Sequence, residues 1–422
     1  MSSAKLTSFC FIKALWVMMA CCYVNAIKAQ IVNKPPTNVS FKKVVLLEKY
    51  ISEGASIADM DNDGQVDVVA GNLWWKGPDF KEVYAYGPVR YFPISGPGIE
   101  GYSTNFFTFP MHIDKNRWVD ILQIGLPGTD SKWVKDPGKN LSSMTNLTTE
   151  PEFKNAVKNV CHESPVLANV IGDKKKELLA FSQGRLILGM PSKKPNKDWD
   201  ILAISEEDKA RFPVYSHGLG IGDINGDGLN DVVEKSGWWE QPLDWNGKTT
   251  WRYHPYSFSI EKGGAQILVF DVDGDGDNDV VTAIDAHGYG LSWFQQVVSD
   301  GKIGFKEHKV MTSSVLDNPY AVSFSQLHSL AKVDIDNDGI LDIVTGKCYY
   351  AHNGRDPGSA EPPVLYWFKT HRFLDGTTEL IPYRIDDNSG VGRQISVGDL
   401  NGDGKNDIVT ANKKGVFAFL QE

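Results

Sequence analysis

The sequence predicts an all-β protein, a single seven-bladed β-propeller with calcium-binding loops between the first two strands of most blades. Three observations carry this. An acidic loop, Asp-x-Asp/Asn-x-Asp-Gly-x-x-Asp, occurs five times. Two eroded copies fill the longest gap and bring the starts to 59, 112, 169, 223, 271, 334 and 399, a period of roughly fifty to sixty residues, which belongs to radial β repetition. Tryptophan-rich runs recur after the loops, at Leu73-Trp74-Trp75, Gly237-Trp238-Trp239, Leu291-Ser292-Trp293-Phe294 and Leu365-Tyr366-Trp367-Phe368. They read as the third strand of each unit, packing large aromatics between sheets.

The chain begins with a targeting segment. Lys5 precedes an apolar run from Phe9 to Val24, and Ile27-Lys28-Ala29 offers a small-residue cleavage site before Gln30, so residues 1–29 are expected to be a signal peptide and the product secreted or periplasmic. Lys13 interrupts the run and argues against a transmembrane anchor. Met19-Ala20-Cys21 leaves a lipoprotein signal as the lesser alternative. Cleavage would leave only Cys161 and Cys348, in the third and sixth units. Units so far apart in a ring do not favour a disulfide, so both are expected to be buried thiols.

The propeller is expected over residues 36–422. Phe41 to Leu47 reads as a strand belonging to no complete unit, and the last unit, ending at Val416-Phe417-Ala418-Phe419-Leu420, is one strand short. Pairing the two ends closes the ring and leaves no open edge. Between them, the irregular stretch Pro127 to Pro151 is expected to be a long loop between blades.

The five full loops supply Asp59, Asp61, Asp63 and Asp67; Asp223, Asn225, Asp227 and Asp231; Asp271, Asp273, Asp275 and Asp279; Asp334, Asp336, Asp338 and Asp342; and Asp399, Asn401, Asp403 and Asp407. Oxygens at positions 1, 3, 5 and 9, a carbonyl at 7 and a glycine turn at 6 suit a calcium ion. An EF-hand would need Glu at position 12 and flanking helices, whereas β-rich runs flank these loops, such as Gly-Leu-Gly-Ile-Gly before Asp223. About five structural calcium ions are expected. The eroded loops keep His112, Asp114, Asn116 and Asp120, or Asn169, Asp173 and Glu177; Ile171 and the Lys174 to Lys176 run make the second a poor cation site. The net charge of −10 lies largely in these loops. With no basic stripe interleaved with aromatics, nucleic acid is excluded as a partner.

Catalysis is sought elsewhere. Six residues before each loop start the chain reads Glu53, Phe106, Glu163, His217, Ala265, His328 and Arg393, with Gln266 and Gln394 one step on. The innermost strands begin here, on the face away from the loops, so a ring of polar groups at the axial mouth is expected to bind a ligand. Return strands and their turns add Asn72, Lys347, Asn412, His287, Tyr289, Tyr350 and His352. A structural reading of each residue alone, such as a hydrogen-bonded His217 in its Ser-His-Gly turn, is available. The repeated register favours the site.

The repeats resemble the FG-GAP or VCBS type of secreted bacterial proteins and integrin α-subunit propellers. Over about residues 210–420 the chain resembles the propeller portion of aldos-2-ulose dehydratase and related carbohydrate-active dehydratases. The likeness rests on Ser216-His217-Gly218, Gly237-Trp238-Trp239-Glu240-Gln241-Pro242, Gly263-Gly264-Ala265-Gln266, Ala286-His287-Gly288-Tyr289-Gly290-Leu291, Phe324-Ser325-Gln326-Leu327-His328, and Gly346-Lys347 leading to Ala351-His352. The resemblance implies β-elimination on a uronate- or keto-sugar oligosaccharide, a carbon–oxygen lyase of polysaccharide degradation. That chemistry asks for a base, an enolate stabiliser and an acid. His217 or His328 would be the base, and Tyr289 or His287 the acid. Arg393 with Lys347 would hold the carboxylate, and Glu53, Glu163, Gln266 and His352 would complete the binding surface. A catalytic divalent metal bound by two histidines with nearby carboxylates is an open alternative. So is a non-catalytic, calcium-stabilised propeller that holds a glycan or a protein at the cell surface. The protein is expected to be monomeric.

Overall fold

A computed structural model describes residues 34–35, 37–114, 116–135, 153–193 and 197–422. The expected signal segment, its cleavage site and Cys21 lie outside the described residues. Among those described, the chain forms seven four-stranded antiparallel sheets. Blade 1 is Ala55–Ala58, Asp67–Ala70, Leu73–Trp75 and Val83–Ala85, and blade 4 is Leu219–Gly222, Asp231–Glu234, Gly237–Glu240 and Arg252–Pro255. Each acidic loop joins the first two strands of its blade, and the first strands of neighbouring blades meet around the axis. The fold is the all-β seven-bladed propeller that the repeats predict.

The terminal strand pairing is as the sequence suggests. Phe41–Leu47 runs antiparallel to Gly415–Gln421, with Phe41 opposite Gln421 and Val45 opposite Phe417, and becomes the outermost strand of blade 7. One expectation needs correction. The stretch Pro127 to Pro151 is not all loop between blades, because Lys132–Val134 is the third strand of blade 2, paired with Asp120–Ile124 and Phe153–Asn155, while residues 136–151 lie outside the described residues. It carries a single tryptophan, Trp133, and so lacks the paired aromatics that mark this strand in blades 1, 4, 5 and 6.

Paired aromatics work because side chains alternate faces along a strand. Trp74 enters a cluster with Ile121 and Val134 of blade 2, while Trp75 packs with Val409 and Val416 of blade 7. Trp238 and Trp239 divide in the same way between the interfaces with blades 5 and 3. One two-residue signature thereby fills two interfaces.

The ninth residue of each loop is buried and acidic: Asp67, Asp120, Glu177, Asp231, Asp279, Asp342 and Asp407. Each accepts the backbone N–H of the second loop residue, at 2.9 Å for Ile113 on Asp120 and 3.0 Å for Val272 on Asp279. In five blades the other oxygen takes an N–H near the third strand, as Asp342 does from Thr370 at 2.9 Å. Blades are also tied to one another. Asn278 Nδ2 donates to the Asp223 carbonyl at 2.7 Å, and Asn406 Nδ2 to that of Asp334 at 2.8 Å. Blade 6 has Leu341 at that position, and Arg372 bonds the carbonyls of Asp271 and Val272 instead.

Asp120 separates this backbone role from any metal role, since its loop is one of the eroded pair. Asp120→Ala strands buried N–H groups and is expected to cost about 3 kcal/mol in urea denaturation, equally in calcium and in chelator. A loss confined to calcium-containing buffer would show instead that Asp120 acts through a bound ion.

Candidate functional site

On the loop face the first carboxylate organises each full loop. Asp223 accepts the N–H groups of Gly226, Asp227 and Gly228 at 2.7, 3.2 and 2.8 Å. Gly228, like Gly64, Gly276, Gly339 and Gly404, has φ between 81° and 95°, the region that favours glycine. Three loops bring acidic oxygens from positions 1, 3 and 9 within 4.8 Å of one another: Asp59, Asp61 and Asp67; Asp271, Asp273 and Asp279; Asp334, Asp336 and Asp342. These acidic clusters could hold metal. In the loops of Asp223 and Asp399 an asparagine takes position 3, Asn225 or Asn401. Lys76 bridges Asp61 and Asp63, Lys369 bridges Asp336 and Asp338, and Lys135 reaches Asp114 at 2.7 Å.

At the opposite end of the first strands the predicted ring converges. Its members bond chiefly to one another. Arg393, 1% exposed, reaches from blade 7 to Glu163 ahead of blade 3 at 3.1 Å and to Glu53 ahead of blade 1 at 3.5 Å, and its Nη1 donates to Cys348 Sγ at 3.0 Å. Only glycine fits just before it, because a Cβ at Gly392 would stand 1.9 Å from the Glu53 carbonyl oxygen. Gln266 bridges the Arg393 carbonyl and the Leu330 N–H, both at 2.9 Å, and Gln394 clamps Thr108. This level of the axis is a filled, hydrogen-bonded plug. It floors an open cavity of about 490 Å³ lined by Tyr102, Glu163, Tyr215, His287, His352 and Asp356, with Arg393 at its base.

Four histidines meet there. His217 Nε2 lies 3.2 Å from His287 Nε2, and the His328 ring is 5.4 and 5.1 Å from those of His217 and His287. His287 stacks on His352, and both present Nδ1 to Asp356, at 3.4 and 2.9 Å. His328 Nδ1 donates to the Gln326 carbonyl at 3.2 Å, which fixes its proton there and leaves Nε2 a bare lone pair, buried without a partner among the described residues. Burial lowers the pKa of His217 to about 3, against the pull of Glu163, and lowers that of His328 well below the usual range, so both are neutral. Burial works against ionisation of Asp356, yet the hydrogen bonds from His287 and His352 hold its carboxyl well below the ordinary value.

The structure brings together His217, His287, His328, His352, Glu53, Glu163 and Arg393. Of these, Glu163, His287, His352 and Arg393 line the cavity, whereas His217, His328 and Glu53 are fully buried behind that lining, and three further candidates do not reach the wall either. Lys347 is buried, with Nζ donating to Gln326 Oε1 at 3.0 Å; Tyr289 bonds Glu361 at 2.9 Å beyond the rim; Gln266 lies in the plug. Asp356, Tyr102 and Tyr215 escaped sequence reading. For Asp356 a signal existed, its spacing of four from His352 on the short turn Ala351–Gly354. Tyr215, Glu261, Gln326, Tyr350, His352 and Asn353 all take left-handed backbone around this mouth, the sort of strain that collects at functional sites.

Comparison with known proteins finds a match to the FG-GAP-like repeat family over residues 334–410, within blades 6 and 7 of the ring. No curated protein matches the chain. Among solved structures, the crystal structure of BBS1N in complex with ARL6DN, soaked with lead, aligns with a TM-score of 0.47 and 8% identity, covering 90% of this chain and 95% of that one. No helix among the described residues is long and apolar enough to cross a membrane.

Because Arg393 neutralises buried carboxylates, its first duty is to the plug. Arg393→Ala leaves Glu53 and Glu163 buried without their counter-charge and is expected to remove at least about 3 kcal/mol of stability, read by urea denaturation. A variant as stable as the parent would show that this guanidinium is free to serve a ligand.

Proposed function

We propose that the axial cavity is the active site of a carbohydrate lyase or dehydratase that performs β-elimination on a sugar bearing a carboxylate or ketone. The observation that carries the reading is the bare Nε2 of His328, buried beside His217 and His287. A buried acceptor without a partner costs stability, and three imidazoles with nitrogens within 4.8 Å of one another are a donor set for a divalent cation. The second contacts fit as well, since Gln326 O and Asp356 hold the outward nitrogens of His328 and His287 as metal-ligating histidines are usually held. Such a cation, when bound, would supply a positive charge that steadies a developing enolate.

The chain's own groups would do the rest. The cavity lining holds Glu163, Glu261, Asp285 and Asp356 against Lys262 and Arg393, so its charge favours a cation at the histidines before an anionic sugar enters. His352 is the most exposed of the cluster at 39%. With Nδ1 engaged by Asp356, its Nε2 is placed to accept the proton beside the activating group. Burial raises the Tyr102 hydroxyl to about 12, so it keeps its proton and can give it to the departing oxygen. Tyr102 also accepts the His352 N–H at 2.9 Å, which ties the base and the acid together.

Incubation with uronate oligosaccharides is expected to raise absorbance at about 235 nm as a conjugated double bond forms. His352→Ala should slow this by about 10²-fold or more while the melting curve stays in place. His328→Ala should abolish it and lower the bound transition metal by one ion in elemental analysis. Saturable binding without turnover, in the presence of added zinc or manganese, would favour the non-catalytic binding module.

We also propose that the acidic loops hold structural calcium. Burial, reinforced by neighbouring loop carboxylates, raises Asp67, Asp231 and Asp279 to about 7 and Asp342 to about 8. A carboxyl raised on folding contributes stability below its ordinary value, which is lost as pH rises through the folded value. In chelator, stability should therefore fall between about pH 5 and 8. Calcium favours the ionised form and should erase that slope, adding about 2.7 kcal/mol per site at a hundredfold excess over Kd. A melting temperature indifferent to chelator across this range would refute calcium in these loops.

A further inference from the structure

A second open cavity, of about 360 Å³, lies between blades 1 and 2 and touches the axial cavity. Leu126 lines both, and the segment running from Tyr102 to Phe106 stands between them, with Thr104 and Asn105 facing one side and Tyr102 and Phe106 the other. We propose that this cleft is a subsite for an acidic sugar unit, carrying a carboxylate or a sulfate ester, of a chain whose reacting unit occupies the axial cavity. The inference rests on the reading of the axial cavity given above and extends it from a single sugar to an oligosaccharide.

Charge is the first argument. The axial lining is net acidic, whereas the charged groups of the cleft are Lys132, Arg90 and a single carboxylate, Asp130. Asp130 already accepts the Asn159 N–H at 2.9 Å. Lys132 is exposed and has no ion pair among the described residues. An anionic group thus finds its counter-charge in Lys132, set apart from the carboxylates around the histidines.

Pre-set hydrogen bonding is the second. Gln123 lies directly across the strand pair from Lys132, so the two side chains share a face. Its Nε2 is held by Asn72 Oδ1 at 2.8 Å and by the Gly71 carbonyl and Tyr86 hydroxyl, each at 3.0 Å. That fixes the amide and leaves Oε1 as an acceptor without a partner among the described residues, suited to a sugar hydroxyl. Phe92, packed edge-on against Tyr50 at 5.8 Å, and Phe153 supply the apolar surface on which a pyranose ring can lie. Rigid amides, a free cation and half-buried aromatics together describe a site for a charged sugar.

The test is calorimetric titration of the full chain with galacturonic acid, tetragalacturonate, a sulfated neutral tetrasaccharide and uncharged cellotetraose. Wild type is expected to bind one or both anionic tetramers at least about tenfold more tightly than the monomer and than cellotetraose, and which of the two shows the step identifies the acidic group. Lys132→Ala should shrink that step and Lys132→Glu should erase it, with unchanged melting curves showing that the exposed substitutions leave the fold intact. Equal affinity for charged and uncharged tetramers, or a step that survives Lys132→Glu, would overturn the proposal. Failure of the axial reading shows differently: a His352→Glu protein, altered at an exposed residue of the axial lining, that binds every ligand as wild type does refutes the axial site, while the Lys132-dependent step still decides the cleft.

Discussion

Closure of the ring is the constraint on which the other features depend. The strand Phe41–Leu47 completes blade 7, the same blade that sends Arg393 across the axis to the glutamates ahead of blades 1 and 3. Were the ring open, blade 7 would end in an unpaired edge, and the shared height of residues separated by hundreds of positions would have no structural meaning. Once it is closed, a fixed offset along the sequence becomes a fixed level along the axis. The plug of Arg393, Glu53, Glu163, Gln266 and Gln394 is that level made physical.

Acidic groups occur at both ends of the first strands, and they are stabilised in different ways. At the loop end the buried ninth-position carboxylates accept backbone N–H groups, a use that needs no ion, and the remaining loop carboxylates cluster near the surface. At the mouth, Glu53 and Glu163 are buried and balanced by a guanidinium. The contrast follows from solvent access. Surface carboxylates are screened by water and ions, whereas a charge enclosed on the axis needs a partner in direct contact.

The histidines belong to neither scheme. His217 and His328 are buried and His328 is fixed by a carbonyl, while His287 and His352 are oriented by one carboxylate, Asp356; such rigidity is what a reacting group or a cation requires of its surroundings. Around them the backbone is strained at Tyr215, Gln326, Tyr350 and His352, while the strands beneath follow regular antiparallel ladders. A regular scaffold carrying an irregular rim is the usual division of labour between fold and site.

The sequence by itself determined the architecture, because everything that specifies it is local and repeated. The loop spacing set the blade count, Trp74-Trp75 and Trp238-Trp239 marked the third strands, and the unpaired segments at the two ends implied their partnership. It also brought His217, His287, His328 and His352 onto one list, since the repeat register preserves height. Only the tertiary structure decided which groups face a ligand. Every residue six before a loop start is buried, and of the polar ones only Glu163 and Arg393 line the cavity while Glu53, His217 and His328 are enclosed; Asp356, on an irregular turn, has no counterpart in the repeat. Register fixes height along the axis. Whether a side chain at that height meets solvent or another blade depends on contacts across the ring, which no local pattern records.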